Sequence, residues 1–135
     1  MKRGLAGSLD TNILLRLLLN DIPAQHEIAK NILKSTTKQF IVSDVAILEM
    51  VFALESYYQF RRPQVADAVA AVLELEQLNC NRPLLAGVAQ QYLEHPKLSF
   101  DDCYLAEYAR LNGAEPLLTF DKKLVSQHTS AELAE

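Results

Sequence analysis

The chain has 135 residues, half of them apolar, with 13 basic and 17 acidic side chains and a formal charge of -4. That length suits one domain with one core. Its basic residues gather no further than the doublets Lys2/Arg3, Arg61/Arg62 and Lys122/Lys123, which argues against a protein that coats duplex nucleic acid, yet leaves room for an enzyme that takes a single strand into a local site. Cys80 and Cys103 lack CxxC spacing and read as small apolar core residues in a reducing compartment. The opening "MKRG" does not read as a secretory leader, because Asp10, Asn12 and Arg16 interrupt the apolar run that follows. No apolar stretch approaches the roughly 20 residues of a membrane span, so a soluble, uncleaved, cytoplasmic chain is expected.

In chain order, a short first strand ends near Asp10, weakened by Gly7 and Ser8, and residues 13–19 form a helix buried on most sides. Asp21 then caps a second helix, with Pro23 in its first turn and Ile28, Ala29, Ile32 and Leu33 on its apolar face, ending near Lys34. "FIVS" at 40–43 is a buried strand that runs into a third helix at 45–58, capped by Ser43 or Asp44. A fourth helix spans 63–75, "QLNC" at 77–80 is a weak strand, and Pro83 opens a fifth helix ending near His95. The sixth covers 100–112, where Gly113 supplies a left-handed stop, and "PLLTFD" at 116–121 is the last strand and its exit.

Strands alternating with helices imply an α/β fold with a parallel sheet, whose functional groups gather at the carboxyl ends of the strands. Residues 44–75 hold two successive helices with no strand between them, expected to stand partly apart as an arm.

Four acids fall at informative places: Asp10 at a strand end, Glu49 inside a helix, Asp102 in a first helical turn and Asp121 just past a strand. Asp10 and Asp121 also suit helix caps. Glu49 lies in "VAILEMVFAL", where all its neighbours are apolar, so it is expected to be partly buried and to need compensation. Arg16 or Arg110 could pair with it, or a divalent cation shared with the other acids could. Clustered carboxylates repel one another, and magnesium or manganese reverses that balance while activating a water for in-line attack on a phosphodiester. His26, His95 and His128 have no zinc spacing, and neither a Walker loop nor GxSxG is present.

Together these segments resemble the PIN domain, and within it the VapC-like toxin ribonucleases of bacterial toxin and antitoxin pairs, over almost the whole chain. "LDTNILLRLLLND" at 9–21 is similar to that family's first acidic motif, "ILEMVFAL" to the helix carrying its glutamate, and "SFDDCYLAEYARLNGAEPLLTFD" to its third and fourth motifs. The resemblance implies a three-layer α/β/α fold with a central, mostly parallel sheet and a protruding helical pair, in one domain over 1–135. It implies Asp10, Glu49 and Asp102 as metal-holding acids with Asp121 as the more variable fourth, and Asn12 and Thr119 as groups that orient the acids or a water. Asp102 is preferred to Asp101 because "DCYLA" fits the small and apolar residues that follow the motif's acid. The implied activity is a Mg2+- or Mn2+-dependent endoribonuclease acting on RNA, held inactive by a cognate antitoxin, with the first four helices offering surfaces for that partner and for a homodimer. Arg16, Lys122 and Lys123 are candidate phosphate contacts, with solvated charge as the alternative. A phosphatase using Asp10 as nucleophile would need a companion lysine and a second acidic pair that are not evident. A non-catalytic RNA- or protein-binding module is the other rival, and the presence of all four acids argues against it.

Overall fold

The computed structural model describes residues 4–135, so Lys2 and Arg3, and the charged start of "MKRG", lie outside the described residues. Seven helices and five strands are present among the described residues, a mixed α/β fold in which every strand pairing is parallel. The contacts group the chain into two compact units, 1–81 and 82–135.

The first unit contains β1 (Leu5–Ser8), α1 (Thr11–Leu18), α2 (Pro23–Lys34), β2 (Gln39–Ile41), α3 (Asp44–Ser56), α4 (Arg62–Leu73) and β3 (Leu78–Asn79). Its sheet has the order β1-β2-β3. Each crossover carries two helices, which supplies the length a parallel connection requires. The weakness expected of the first strand takes a definite form: all four residues of β1 are exposed, and its register to β2 breaks between Leu5 and Gly7. Leu14, Ile47, Met50, Leu54, Val65, Val69, Val72 and Leu78 are the buried centre of this unit. The helices α3 and α4 do follow one another without a strand, and both pack on α1, which anchors the expected arm through Val65, Val69 and Val72.

The cap of α2 differs from expectation. Ile22, not Asp21, holds the cap position and makes no side-chain bond there, because the Asp21 carboxylate is engaged elsewhere. Arg16 Nη1 donates to Asp21 Oδ1 at 2.9 Å, Arg16 Nη2 donates to the Tyr58 hydroxyl at 2.9 Å, and that hydroxyl donates to Asp21 Oδ2 at 3.0 Å. The three side chains close a ring, and the one helix-periodic cue that Asp21 carried was local while its use is not.

The second unit contains α5 (Arg82–Glu94), α6 (Phe100–Leu111), β4 (Leu117–Thr119), α7 (Lys122–Gln127) and β5 (Ala131–Leu133). The helices α5 and α6 pack as a pair over Leu84, Leu85, Val88, Tyr92, Phe100, Cys103 and Ala106, with Tyr92 and Phe100 meeting edge to face at 5.4 Å. Gly113 ends α6 with φ 63°, while its N–H bonds the Arg110 carbonyl and that of Ala114 bonds Ala109, which satisfies the last carbonyls of the helix. Cys103 is buried and Cys80 half-buried, and neither forms a disulfide. No helix among the described residues is long and apolar enough to cross a membrane.

Candidate active site

A cleft of about 750 Å³ in the first unit is lined by the last residues of its three strands and the segments that follow them. Ser8 closes β1 and leads into Leu9 to Thr11, Ile41 closes β2 and leads into Val42 to Ala46, and Asn79 closes β3 and leads into Cys80 and Asn81, with Glu49 added from the second turn of α3. Parallel strands all end at the same edge, so this edge collects groups distant in sequence.

Asp10 sits where β1 hands over to α1. It is the N-cap of α1, its Oδ1 accepting from the Ile13 N–H at 3.1 Å, and its other carboxylate oxygen has no partner among the described residues. The cap reading and the cleft reading of Asp10 therefore describe the same side chain, one oxygen each. Glu49 faces the same cleft but is exposed, contrary to the burial expected from its apolar neighbours. The helix α3 is apolar nearly all round, yet it buries only one side, and the stripe of Val45, Glu49 and Phe52, at i, i+4 and i+7, is left to solvent. Neither suggested cation compensates Glu49: Arg16 is paired with Asp21, and Arg110 with Glu107.

Thr11 joins the two acids. Its hydroxyl lies 3.0 Å from Glu49 Oε2 and 3.3 Å from the Ala46 carbonyl, and with one proton to give it serves the shorter contact first. Sequence reasoning passed over Thr11 in favour of Asn12, since a helix taken to start at residue 13 leaves Thr11 without a direction. Asn12 is exposed and lines an adjoining depression of about 550 Å³ together with Asp10, Ile13 and Gln25.

In the second unit, Asp102 is half-buried in the first turn of α6, its N–H donating to the capping Ser99 hydroxyl at 3.0 Å, while Asp101 is exposed. Asp121 caps α7, its Oδ1 accepting from the N–H groups of Lys123 at 2.9 Å and Leu124 at 3.2 Å. Thr119 Oγ1 accepts from the Asp121 N–H at 3.0 Å and so fixes the backbone that presents that acid.

No three His, Cys, Asp or Glu side chains are grouped closely enough to hold a metal ion by themselves among the described residues. The donor chemistry of the first unit's cleft nevertheless fits a hard cation: two carboxylates on one wall, each with one oxygen tied by the protein or a hydroxyl. Magnesium keeps several waters and needs only one or two protein carboxylates beside substrate oxygens.

Two charged clusters elsewhere are structural. Burial and the ring with Tyr58 and Asp21 engage the Arg16 guanidinium within the protein; the Tyr58 hydrogen bond leads in raising its pKa. Desolvation alone would raise the Asp21 pKa, but the Tyr58 hydrogen bond and the Arg16 charge outweigh it and lower the value. In the second unit Glu107 is buried, accepting from Arg110 Nε at 2.6 Å, Arg110 Nη2 at 2.9 Å and Gln91 Nε2 at 3.0 Å. Gln91 Oε1 accepts in turn from His128 Nε2 at 2.8 Å, and His128 Nδ1 accepts from the Ser130 N–H at 3.2 Å, a set that suits a neutral ring. Burial, and next the neighbouring His95, depress the His128 pKa.

Among known families, the PIN domain model matches residues 8–128, a span that takes in Asp10, Glu49, Asp102 and Asp121. No curated protein matches the chain.

Proposed function

The chain belongs to the PIN domain family, whose members are typically nucleases and in general use divalent metal ions, and from that premise we propose a Mg2+- or Mn2+-dependent endoribonuclease of the VapC-like toxin kind. The observation that carries the reading is the pair of carboxylates, Asp10 and Glu49, on one wall of the cleft at the carboxyl edge of a parallel sheet. Asp102 and Asp121 are the proposed further acids of the set, and Asn12 and Thr119 its supporting groups. A bound cation would contribute charge neutralisation at the phosphate and a more acidic water.

The protein's own side chains do the positioning. The Ile13 N–H fixes Asp10 through one oxygen and leaves the other for the ligand, and the Thr11 hydroxyl holds Glu49 beside it. Fixing both acids before substrate arrives is the form in which electrostatic catalysis is effective, since no reorganisation remains to be done at the moment of reaction. A small antitoxin that masks the acids, a homodimer built on the first four helices, and a cytoplasmic setting complete the proposal.

The test is cleavage of single-stranded RNA by the purified chain with magnesium or manganese, beside Asp10→Asn and Glu49→Gln. Asparagine also caps helices, so Asp10→Asn keeps the fold and removes the charge. Both variants are expected to lose cleavage and the calorimetric binding of Mn2+. Undiminished cleavage by Asp10→Asn would sink the site, and a wild-type chain that binds no cation and cuts no RNA would be the non-catalytic module instead.

A further inference from the structure

The wall of the cleft away from Asp10 and Glu49 carries chemistry that the hydrolysis reaction does not use. Asn79 and Asn81 both line it, and both are exposed. Neither side-chain amide has a hydrogen-bond partner among the described residues. Their spacing explains why they act together: along an extended segment alternate side chains share a face, so Leu78 turns into the core while Asn79 and Asn81 turn out. Ile41, the register partner of Asn79 on the neighbouring strand, and Val45 beyond it are 44% and 60% exposed, which gives an apolar surface in the same cleft as the two amides.

The charge of the cleft narrows what those amides can bind. Every charged side chain lining it is a carboxylate, Asp10, Asp44 and Glu49, and no lysine or arginine lines it. A phosphate group would find there no cationic side chain, and its oxygens can only accept. A carboxamide offers a donor and an acceptor in one plane, which matches the edge of a nucleobase, and the flat face of a base suits the apolar surface of Ile41 and Val45. Single-stranded RNA is recognised in this way, by unstacked bases hydrogen-bonded along their edges. A cleft of about 750 Å³ has room for a nucleoside.

We infer that Asn79 and Asn81 bind one nucleobase beside the phosphodiester cleaved at Asp10 and Glu49, so that cleavage depends on the base at that position. The inference rests on the ribonuclease reading. The amides are hydrated in the free protein and become covered when a base lies over them. A matching base replaces the lost water, whereas a mismatched base leaves a covered amide unpaired, and that difference is the source of selectivity.

The experiment is a cleavage map on random-sequence RNA with magnesium for the wild-type chain, Asn79→Ala, Asn81→Ala and Asn79→Asp, with denaturation midpoints to establish that each variant is folded. Wild type is expected to prefer one base, or a pair of bases, at a single position flanking the cut. The two alanine variants lower the ratio of preferred to other bases there by about tenfold. Preferences at other positions stay as they were. Asn79→Asp replaces a group that donates and accepts with one that only accepts, so it shifts the preference toward bases presenting an amino group rather than erasing it. Preferences identical to wild type in all three folded variants would overturn the inference and leave the ribonuclease reading standing, as would a wild-type map with no base preference at either flanking position. A wild-type chain that cuts no RNA would overturn both.

Discussion

Among the described residues each unit buries one charged group, and the two units bury opposite partners. In the first, the arginine is inside: the Arg16 side chain is 9% exposed, against 39% for Asp21. In the second, the carboxylate is inside: Glu107 is 4% exposed, against 53% for Arg110. An arginine carries a long apolar stem and a weakly hydrated head, so Arg16 can be held by one acid and one hydroxyl in a ring. A carboxylate has no such stem. Glu107 takes two bonds from Arg110 and one from Gln91, and it needs backbone to give way, which Gly87 does. The difference teaches that the second unit is built tightly around its buried acid, while the first holds its buried base by a loop of exchangeable contacts.

The sharpest way to break that comparison is Gly87→Ala. A Cβ there would overlap Glu107 Oε2 and the carbon that bears it, so the carboxylate would have to leave the position in which Arg110 and Gln91 hold it. Overpacking together with a disrupted buried charge is expected to destabilise the chain by about 3 kcal/mol or more. Chemical denaturation reads this directly, and the same alanine in a Glu107→Ala background should cost far less, since the clash is removed. Equal losses in both backgrounds would mean that Glu107 is not what Gly87 accommodates. A smaller effect is expected in the first unit: Tyr58→Phe removes one hydroxyl that accepts from Arg16 and donates to Asp21, yet leaves their direct bond, so about 1 kcal/mol should be lost. A loss as large as that of Gly87→Ala would erase the contrast between the units.

The smallest effect concerns pH. The folded-state pKa of His128 is depressed, by burial first and by His95 next, so the unfolded chain takes up a proton before the folded one does. The contribution of His128 is therefore present above the ordinary histidine value, near 6.5, and is lost as pH falls from there toward the lower folded value. Denaturation midpoints at pH 7.5 and 5.5 should differ more for wild type than for His128→Gln. An unchanged difference would show that His128 does not titrate with folding.

The sequence is most legible where local signals decide the outcome. Pro23, Pro63 and Pro83 fall at helix starts, Gly113 ends α6, and the Ser43 hydroxyl caps α3 by accepting from the Ala46 N–H, because each acts on backbone within a few residues of itself. Legibility fails where partners are distant. The three-residue strand β5 is too short to show alternation and exists through pairing with β4, and the six-residue helix α7 is too short to show a helical period. Asp21 gave a cap signal that Arg16 and Tyr58 overrode.

At the candidate site, Asp10 could be found from its place between a strand and a helix, and Glu49 from its isolation among apolar residues. Burial was the wrong reason for noticing Glu49, because apolar neighbours in a helix do not say which side the fold covers. Thr11 could have been found by moving the helix start back to the residue after the cap. Asn79 and Asn81 left one faint signal, the alternation of polar and apolar residues in "LNCN", which a two-residue strand could not make decisive.

One consequence of the Asp10 cap concerns which cation the cleft would accept. A free aspartate turns about two torsions, and coordinating a ligand freezes both. Here the Ile13 N–H has frozen them as part of folding, so the remaining oxygen has a set direction before any ion arrives. A donor that cannot swing suits a small ion with short bonds and strict octahedral angles better than calcium, whose longer bonds and variable coordination favour ligands that adapt. At the proposed site, a backbone contact whose first task is to begin a helix would thus also act as a filter on ionic radius.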